Sequence, residues 1–242
     1  MCHADQTART AAEFAASDAC RSGAPATGAP RSRDSGEPDE LDAVGTVCAF
    51  AHNETIFVEG EPAAACYKVV SGIVRLCRMT ADGKRQIVGF RIAGELIGVE
   101  WNAIHEMTAE AVRDVVAVRY ARTRLERLSR EKPAVRERLL DQLRHDLRST
   151  QDHIVMLGRQ TATERVASFL LGLLRRAGVR DGATVDMRLG RQDIADYLGL
   201  TLETVSRTFS DLTGRGIIAS PKRRHVVIRS AAGLRTCLLR AA

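Results

Sequence analysis

The first forty residues contain no leucine, isoleucine or valine, and Met1 and Phe14 are their only large apolar side chains. Ala, Ser, Gly, Pro and Arg dominate there. Such a segment cannot bury enough surface to offset the entropy of ordering it, so residues 1–40 are expected to form a disordered tail. Long apolar runs are missing throughout, which argues against a membrane-spanning helix. The start, MCHADQTART, lacks the charged-then-apolar layout of a secretory signal. A soluble, cytoplasmic protein with no membrane partner is the expectation. The six cysteines, Cys2, Cys20, Cys48, Cys66, Cys77 and Cys237, include no C-x-x-C pair. Their spacing suits neither a zinc site nor a compact disulfide framework, so reduced thiols are expected, some of them small buried apolar residues. Nucleophile motifs, paired carboxylates and Gly-rich phosphate loops are also lacking. No catalytic or metal-ligating residue is assigned, and the chain is not read as an enzyme.

What is present is a basic C-terminal third. Of 242 residues, those from Gly158 onward hold 15 Lys/Arg against 7 Asp/Glu, whereas the preceding 157 hold 21 against 23. A charge excess confined to one region points to a polyanion, with nucleic acid the leading candidate. Apolar content of 45% is ample for packed cores, and the length suits two domains better than one.

From Leu41 the texture is of short β-type runs: TIFVEG, CYKVVSG, IVRLCRM and RQIVGFRIAGELIG. Gly60, Gly72, Asp82-Gly83 and Gly94 punctuate them, and Ser71-Gly72 and Asp82-Gly83 are dipeptides that close hairpins. Many short strands at regular spacing predict an antiparallel barrel or roll over 41–130. Val115–Ala121 is a further strand, and TRLERLS after it begins a helix. A long helix is predicted over 134–157, with Pro133 in its first turn. Along it Leu139, Leu143, Leu147, Thr150, Ile154 and Leu157 step by 4, 4, 3, 4 and 3, near heptad spacing, which predicts a homodimer seam. Residues 131–158 are therefore read as a dimerisation helix. TATERVASFLLGLLRRAG is a second amphipathic helix, ending at Arg175, Arg176 and Gly178.

The stretch RQDIADYLGLTLETVSRTFSDLTGRGI reads as two helices around a tight turn at Gly199-Leu200. Thr201 is the expected N-cap of the second helix. Small Ala195, the turn glycine and apolar Val205 suit two closely crossing helices. Val205, Phe209 and Leu212 make one face for burial, and Glu203, Ser206, Arg207 and Ser210 make a separate polar face. A recognition helix shows such a face to the major groove. Arg207 can donate two hydrogen bonds to guanine, and Glu203 can accept from the amino group of cytosine. At i and i+4 the Glu203 carboxylate is also placed to hold the Arg207 guanidinium. Two short strands, IIASP and HVVIR, flank Lys222, Arg223 and Arg224, a hairpin tip suited to phosphates. Thr201, Thr204, Arg191 and Gln192 are assigned with these three to the DNA backbone.

DIADYLGLTLETVSR resembles the helix-turn-helix signature of Crp/Fnr transcription regulators, and E-T-V-S-R is the form typical of the Fnr and FixK branch. Residues 41–242 follow the family's order: β-roll, dimer helix, winged helix over 159–242, an α+β fold. GELIG at Gly94–Gly98 stands where the family has its G-E-L turn. The resemblance implies that Glu203, Ser206 and Arg207 read each half of a TTGAT-N4-ATCAA-like palindrome. It implies contact with RNA polymerase and activation, often of genes for oxygen-limited or nitrogen-fixing metabolism. Cyclic-nucleotide pockets of the Crp type need an Arg after the G-E-L turn to pair the phosphate, and none stands between Arg91 and Arg113. Trp101, His105, Glu106 and Glu110 occupy that stretch instead. The closely spaced N-terminal cysteines of Fnr-type iron–sulfur sensors are missing too. What remains resembles the FixK branch, with no cofactor expected. The alternative is a sensor of the same fold, with a small molecule or haem in the roll, His52 and His105 being its candidate ligands, or a thiol switch at Cys48, Cys66 or Cys77.

Overall fold

A computed structural model describes residues 45–100, 102–177, 184–185, 189–222 and 225–239. The tail expected over residues 1–40 lies outside them, as do Trp101, Arg223 and Arg224.

Eight strands come first: β1 (Thr46–Phe50), β2 (Thr55–Phe57), β3 (Ala65–Ser71), β4 (Ile73–Met79), β5 (Arg85–Ile92), β6 (Leu96–Ile97), β7 (Thr108–Ala111) and β8 (Val115–Ala121). They form two antiparallel four-stranded sheets, ordered β1-β8-β3-β6 and β2-β7-β4-β5. Ile56, Phe57, Val69, Val74, Leu76, Ile97, Ala109, Ala111, Val115 and Ala117 make a shared core. Val74 and Leu76, Ala109 and Ala111, and Val115 and Ala117 recur at every second position, the two-residue period of one sheet face. This is the expected roll.

The two proposed hairpin dipeptides behave differently. Asp82-Gly83 joins β4 to β5, which pair from Ile73↔Ile92 to Met79↔Arg85. Ser71-Gly72 closes no hairpin: β3 pairs with β6 and β8, and β4 lies in the other sheet. Gly72 is a corner at which the chain changes sheets. Its φ is +94°, and a Cβ there would come within 2.5 Å of the Asp114 carbonyl oxygen. Only glycine tolerates both conditions.

Helix α1 (Arg122–Glu131) leads into α2 (Pro133–Arg159), with Pro133 in the first turn and one or two more residues at each end than the heptad seam predicts. Then come α3 (Ala162–Ala177), β9 (Thr184–Val185), α4 (Arg191–Leu198), α5 (Leu202–Gly214), β10 (Ile218–Lys222), β11 (His225–Ile228) and α6 (Ala231–Leu239). Strands β10, β11 and β9 make a small antiparallel sheet beside the helices. Four elements were not foreseen: α6 and the short strands β1, β7 and β9 carry too little apolar periodicity to announce themselves.

The core under α3–α6 does not stop at the roll. Phe90 of β5 faces Phe169 of α3 and Tyr197 of α4, with ring centroids 6.4 and 5.4 Å away. Cys77, Ile87, Phe90 and Val112 from the roll share one buried cluster with Leu170, Ile194, Leu198 and Leu212.

Candidate nucleic-acid interface

Helices α4 and α5 cross at Gly199, whose φ of +60° is the left-handed conformation that ends α4. Ala195 and Val205 are fully buried at the crossing, and Phe209 and Leu212 extend that face. Thr201 caps α5: its hydroxyl accepts from the Thr204 backbone N–H at 3.2 Å. These contacts hold the backbone so that Glu203, Ser206, Arg207 and Ser210 all point to solvent, one polar face on one rigid helix. Thr204, half-buried, joins the cap through its hydroxyl, 3.0 Å from that of Thr201.

One expected contact is absent. Among the described residues no ion pair joins Glu203 to Arg207. The Glu203 carboxylate turns back to the helix start, where its own backbone N–H and the Thr201 hydroxyl hold it below the usual carboxylate range. The unpaired N–H groups of a first turn are nearer partners than a side chain one turn on, and the helix dipole favours the charge there. Glu203 is thus an ionised acceptor at neutral pH, and Arg207 has its guanidinium available.

Of the residues assigned to the DNA backbone, Thr201 and Thr204 lie at the start of α5 and Arg191 and Gln192 at the start of α4. Gln192 is exposed at the start of α4. Arg191 beside it is half-buried, its guanidinium 3.6 Å above the Phe209 ring, and burial depresses its basicity. Lys222 ends β10, while Arg223 and Arg224 fall outside the described residues.

On α2, Leu147 and Ile154 are 62% and 65% exposed, two turns apart on one face, with Val155 beside them at 60%. Thr150 between them is exposed and bonds back to the Asp146 carbonyl. Leu139 packs instead on the cluster of Cys66, Leu96, Tyr120, Leu125 and Val135, and Leu143 and Leu157 are half-buried. The stripe is therefore anchored at Leu139 in its own chain, exposed between Leu147 and Val155, and half-buried again at Leu157.

The residues raised as sensors have other occupations. His52 Nδ1 lies 2.7 Å from the Val112 carbonyl oxygen, and His105 is buried, stacked 3.8 Å from Phe57. Burial pushes the Cys66 thiol up to about 12 and Cys77 to about 11. Among the described residues no cluster of three or more His, Cys, Asp or Glu is arranged to hold a metal. No helix among them is long and apolar enough to cross a membrane.

Sequence reasoning missed the side chains that fasten α4 in place. Arg75, in β4, donates to Glu110 Oε2 at 2.6 Å, Asp193 Oδ1 at 3.0 Å and Asn53 Oδ1 at 3.2 Å. Arg85, in β5, reaches Asp196 Oδ2 at 2.7 Å, and Gln86 donates to the Asp196 carbonyl at 2.7 Å. Arg165 of α3 donates to the carbonyls of Leu157, Gln160 and Leu198, joining the ends of α2 and α4. His153 of α2 lies 2.9 Å from the Tyr197 carbonyl oxygen and stacks on its ring. An arginine inside the apolar run IVRLC was the one local signal, since a buried charge requires a partner.

Comparison with known proteins agrees with this architecture. Residues 47–132 match the model of a cyclic nucleotide-binding domain, and residues 164–237 that of a Crp-like helix-turn-helix domain. The chain is 40% identical over 190 residues to the nitrogen fixation regulation protein FixK of Bradyrhizobium diazoefficiens, covering 78% of this chain and 80% of that protein. It is 32% identical to the transcriptional activator protein FnrL of Cereibacter sphaeroides, covering 83% and 84%. The solved structure of FixK2 from Bradyrhizobium japonicum superposes with a TM-score of 0.75 at 38% identity, covering 80% of this chain and 97% of that one. With a β-roll, a winged helix-turn-helix and these relatives, the chain belongs to the Crp/Fnr family of transcription regulators, on its FixK-like branch.

Proposed function

We propose that the protein activates transcription as a homodimer bound to a TTGAT-N4-ATCAA-like palindrome. Arg207 donates to guanine, Glu203 accepts from cytosine, and Ser206 contacts a neighbouring base edge. Thr201, Thr204, Gln192, Arg191, Lys222, Arg223 and Arg224 position the helix on phosphates. Residues 131–158 carry the dimer seam, between a roll over 41–130 and the DNA reader over 159–242. The target genes serve oxygen-limited or nitrogen-fixing metabolism, RNA polymerase is the protein partner, and the cytoplasm is the compartment. No bound cofactor is required.

The observation that carries this reading is the exposed face of Glu203, Ser206 and Arg207 on a helix whose opposite face is fully buried. An acid leading that face weakens attraction to phosphates in general, so its use is in choosing bases. The raised thiols of Cys66 and Cys77 speak against an accessible thiolate switch in the roll.

Titration of labelled palindromic and scrambled duplexes at one stated salt concentration, in air and without oxygen, tests the proposal. Palindrome-specific binding in air is expected, with Arg207→Ala losing about 1–3 kcal/mol of discrimination per half-site. Glu203→Ala is expected to relax discrimination at its own base pair while strengthening binding to scrambled DNA. Specific binding seen only without oxygen, or only after an added ligand, would transfer the reading to a sensor.

A further inference from the structure

Two guanidiniums from the roll enter the winged-helix unit, and the arrangement is costly unless it is complete. Arg75 is only 7% exposed, yet each of its three nitrogens has a partner, one of them Asp193 of α4. Arg85 binds Asp196 through two nitrogens, at 2.7 and 3.1 Å, and lies 3.4 Å from Asp193. The Asp193 carboxylate is shared: Oδ1 faces the arginines, and Oδ2 accepts from the Gly190 N–H at 3.3 Å, at the start of α4. Removing one member of such a set strands a buried charge, so the set forms or breaks as a unit.

The charges at this joint leave no vacancy for an anion. Arg75 and Arg85 face Glu110, Asp193 and Asp196, two cations against three carboxylates. Nor does the joint cover the reading face, since Glu203, Ser206, Arg207 and Ser210 are exposed while it is closed. It therefore does not mask the helix. What it does restrict is angle. α4 is gripped through Asp193 and Asp196 from the roll and through the Leu198 and Tyr197 carbonyls from α3 and α2. α5 shares with α4 a fully buried crossing, so fixing one helix fixes the other.

We infer that Arg75 and Arg85 are positioning residues for DNA recognition, which through Asp193 and Asp196 set the angle of the recognition helix against the roll and the seam helix. The inference rests on the DNA-binding reading and extends it to residues outside the helix-turn-helix. Its physical consequence is particular. Once one half-site is held, the second is engaged at an effective concentration set by how well its helix is already aimed. Pre-organisation lowers the cost of that second step. Loosening the clamp therefore weakens binding to two half-sites while sparing binding to one.

The test uses the full chain with Arg85→Gln, Arg85→Asp and the exchange Arg85→Asp with Asp196→Arg. Arg85 is 28% exposed at its side chain, so its replacement leaves less charge stranded than replacement of Arg75. Each protein is titrated on the palindrome, on a duplex with one half-site scrambled, and on palindromes with a spacer one base pair shorter or longer. Sedimentation at the assay concentration reports the dimer.

With the dimer intact, Arg85→Asp should lose about 5- to 150-fold on the palindrome, the usual range of coupling between two sites. Its affinity for the single half-site should match the wild type. It should also discriminate less among spacers, and the charge exchange should restore both properties. Equal losses on both duplexes, a dissociated dimer, or unchanged palindrome affinity and spacer discrimination would overturn the inference alone. A wild type that does not prefer the palindrome to scrambled DNA would overturn the DNA reading, and the inference with it.

Discussion

Buried thiols and an exposed acid show how environment decides the chemistry of a single residue. Cys66, 2% exposed in β3, has no water to stabilise a thiolate, and burial raises it to about 12. Cys77, raised to about 11, also faces Glu110. Both are protonated at neutral pH and therefore poor nucleophiles. The unfolded chain ionises first as pH rises, so their contribution to stability is intact below the ordinary thiol pKa. It is lost as pH climbs from there toward 11–12. Iodoacetamide labelling of Cys66 and Cys77 at pH 8, read by peptide mapping, should accordingly be slow in native protein and should accelerate only across the urea unfolding transition. Rapid labelling of Cys66 in native protein would contradict this. Glu203 shows the reverse case: its own N–H and then the Thr201 hydroxyl favour the charged form, so it remains an acceptor at working pH. Its place on the polar face was legible from helical spacing alone. Its partner was not, because spacing proposed Arg207 and could not weigh the competing N–H groups of the first turn.

At the scale of elements, local chemistry accounts for most boundaries. Pro133 opens α2, Thr201 caps α5, and Gly199 takes the left-handed turn between α4 and α5. Each was readable because propensity and capping act within a few residues. Ser71-Gly72 is the counterexample. The same dipeptide serves a hairpin or a corner, and the choice is made by β8 and β6, which claim β3 as a partner. Gly72→Ala should cost about 1–3 kcal/mol for its backbone conformation alone. The approach of a Cβ to the Asp114 carbonyl adds to that. A urea midpoint at or near the wild-type value would refute this account of the corner.

At the scale of the whole molecule, and among the described residues, an apolar stripe on α2 is left exposed. Leu147 and Ile154 project from α2 into solvent, where single exposed apolar residues are common but a heptad-spaced pair in the second half of a 27-residue helix is the stripe expected to meet a second copy. Leu147→Asp with Ile154→Asp should leave the thermal stability of the isolated chain within about 0.5 kcal/mol for each change. The same pair should shift sedimentation from dimer to monomer and weaken palindrome binding with it. An undisturbed dimer would move the interface elsewhere.

Periodicity, capping residues and charge were enough to place the roll, the long helix α2 and the exposed face of α5, because each depends on neighbours within a turn or a strand. How those pieces join was decided only in three dimensions. Arg75 and Asp193 are 118 residues apart in the chain, and Arg85 and Asp196 are 111 apart. Nothing local to either partner specifies the other. The same holds for Phe90, whose burial needs Phe169 and Tyr197 from helices far along the chain. Short-range rules state which face of a helix is apolar. Long-range packing alone selects which buried charge meets which, since a desolvated arginine is tolerated only where the fold brings carboxylates to it.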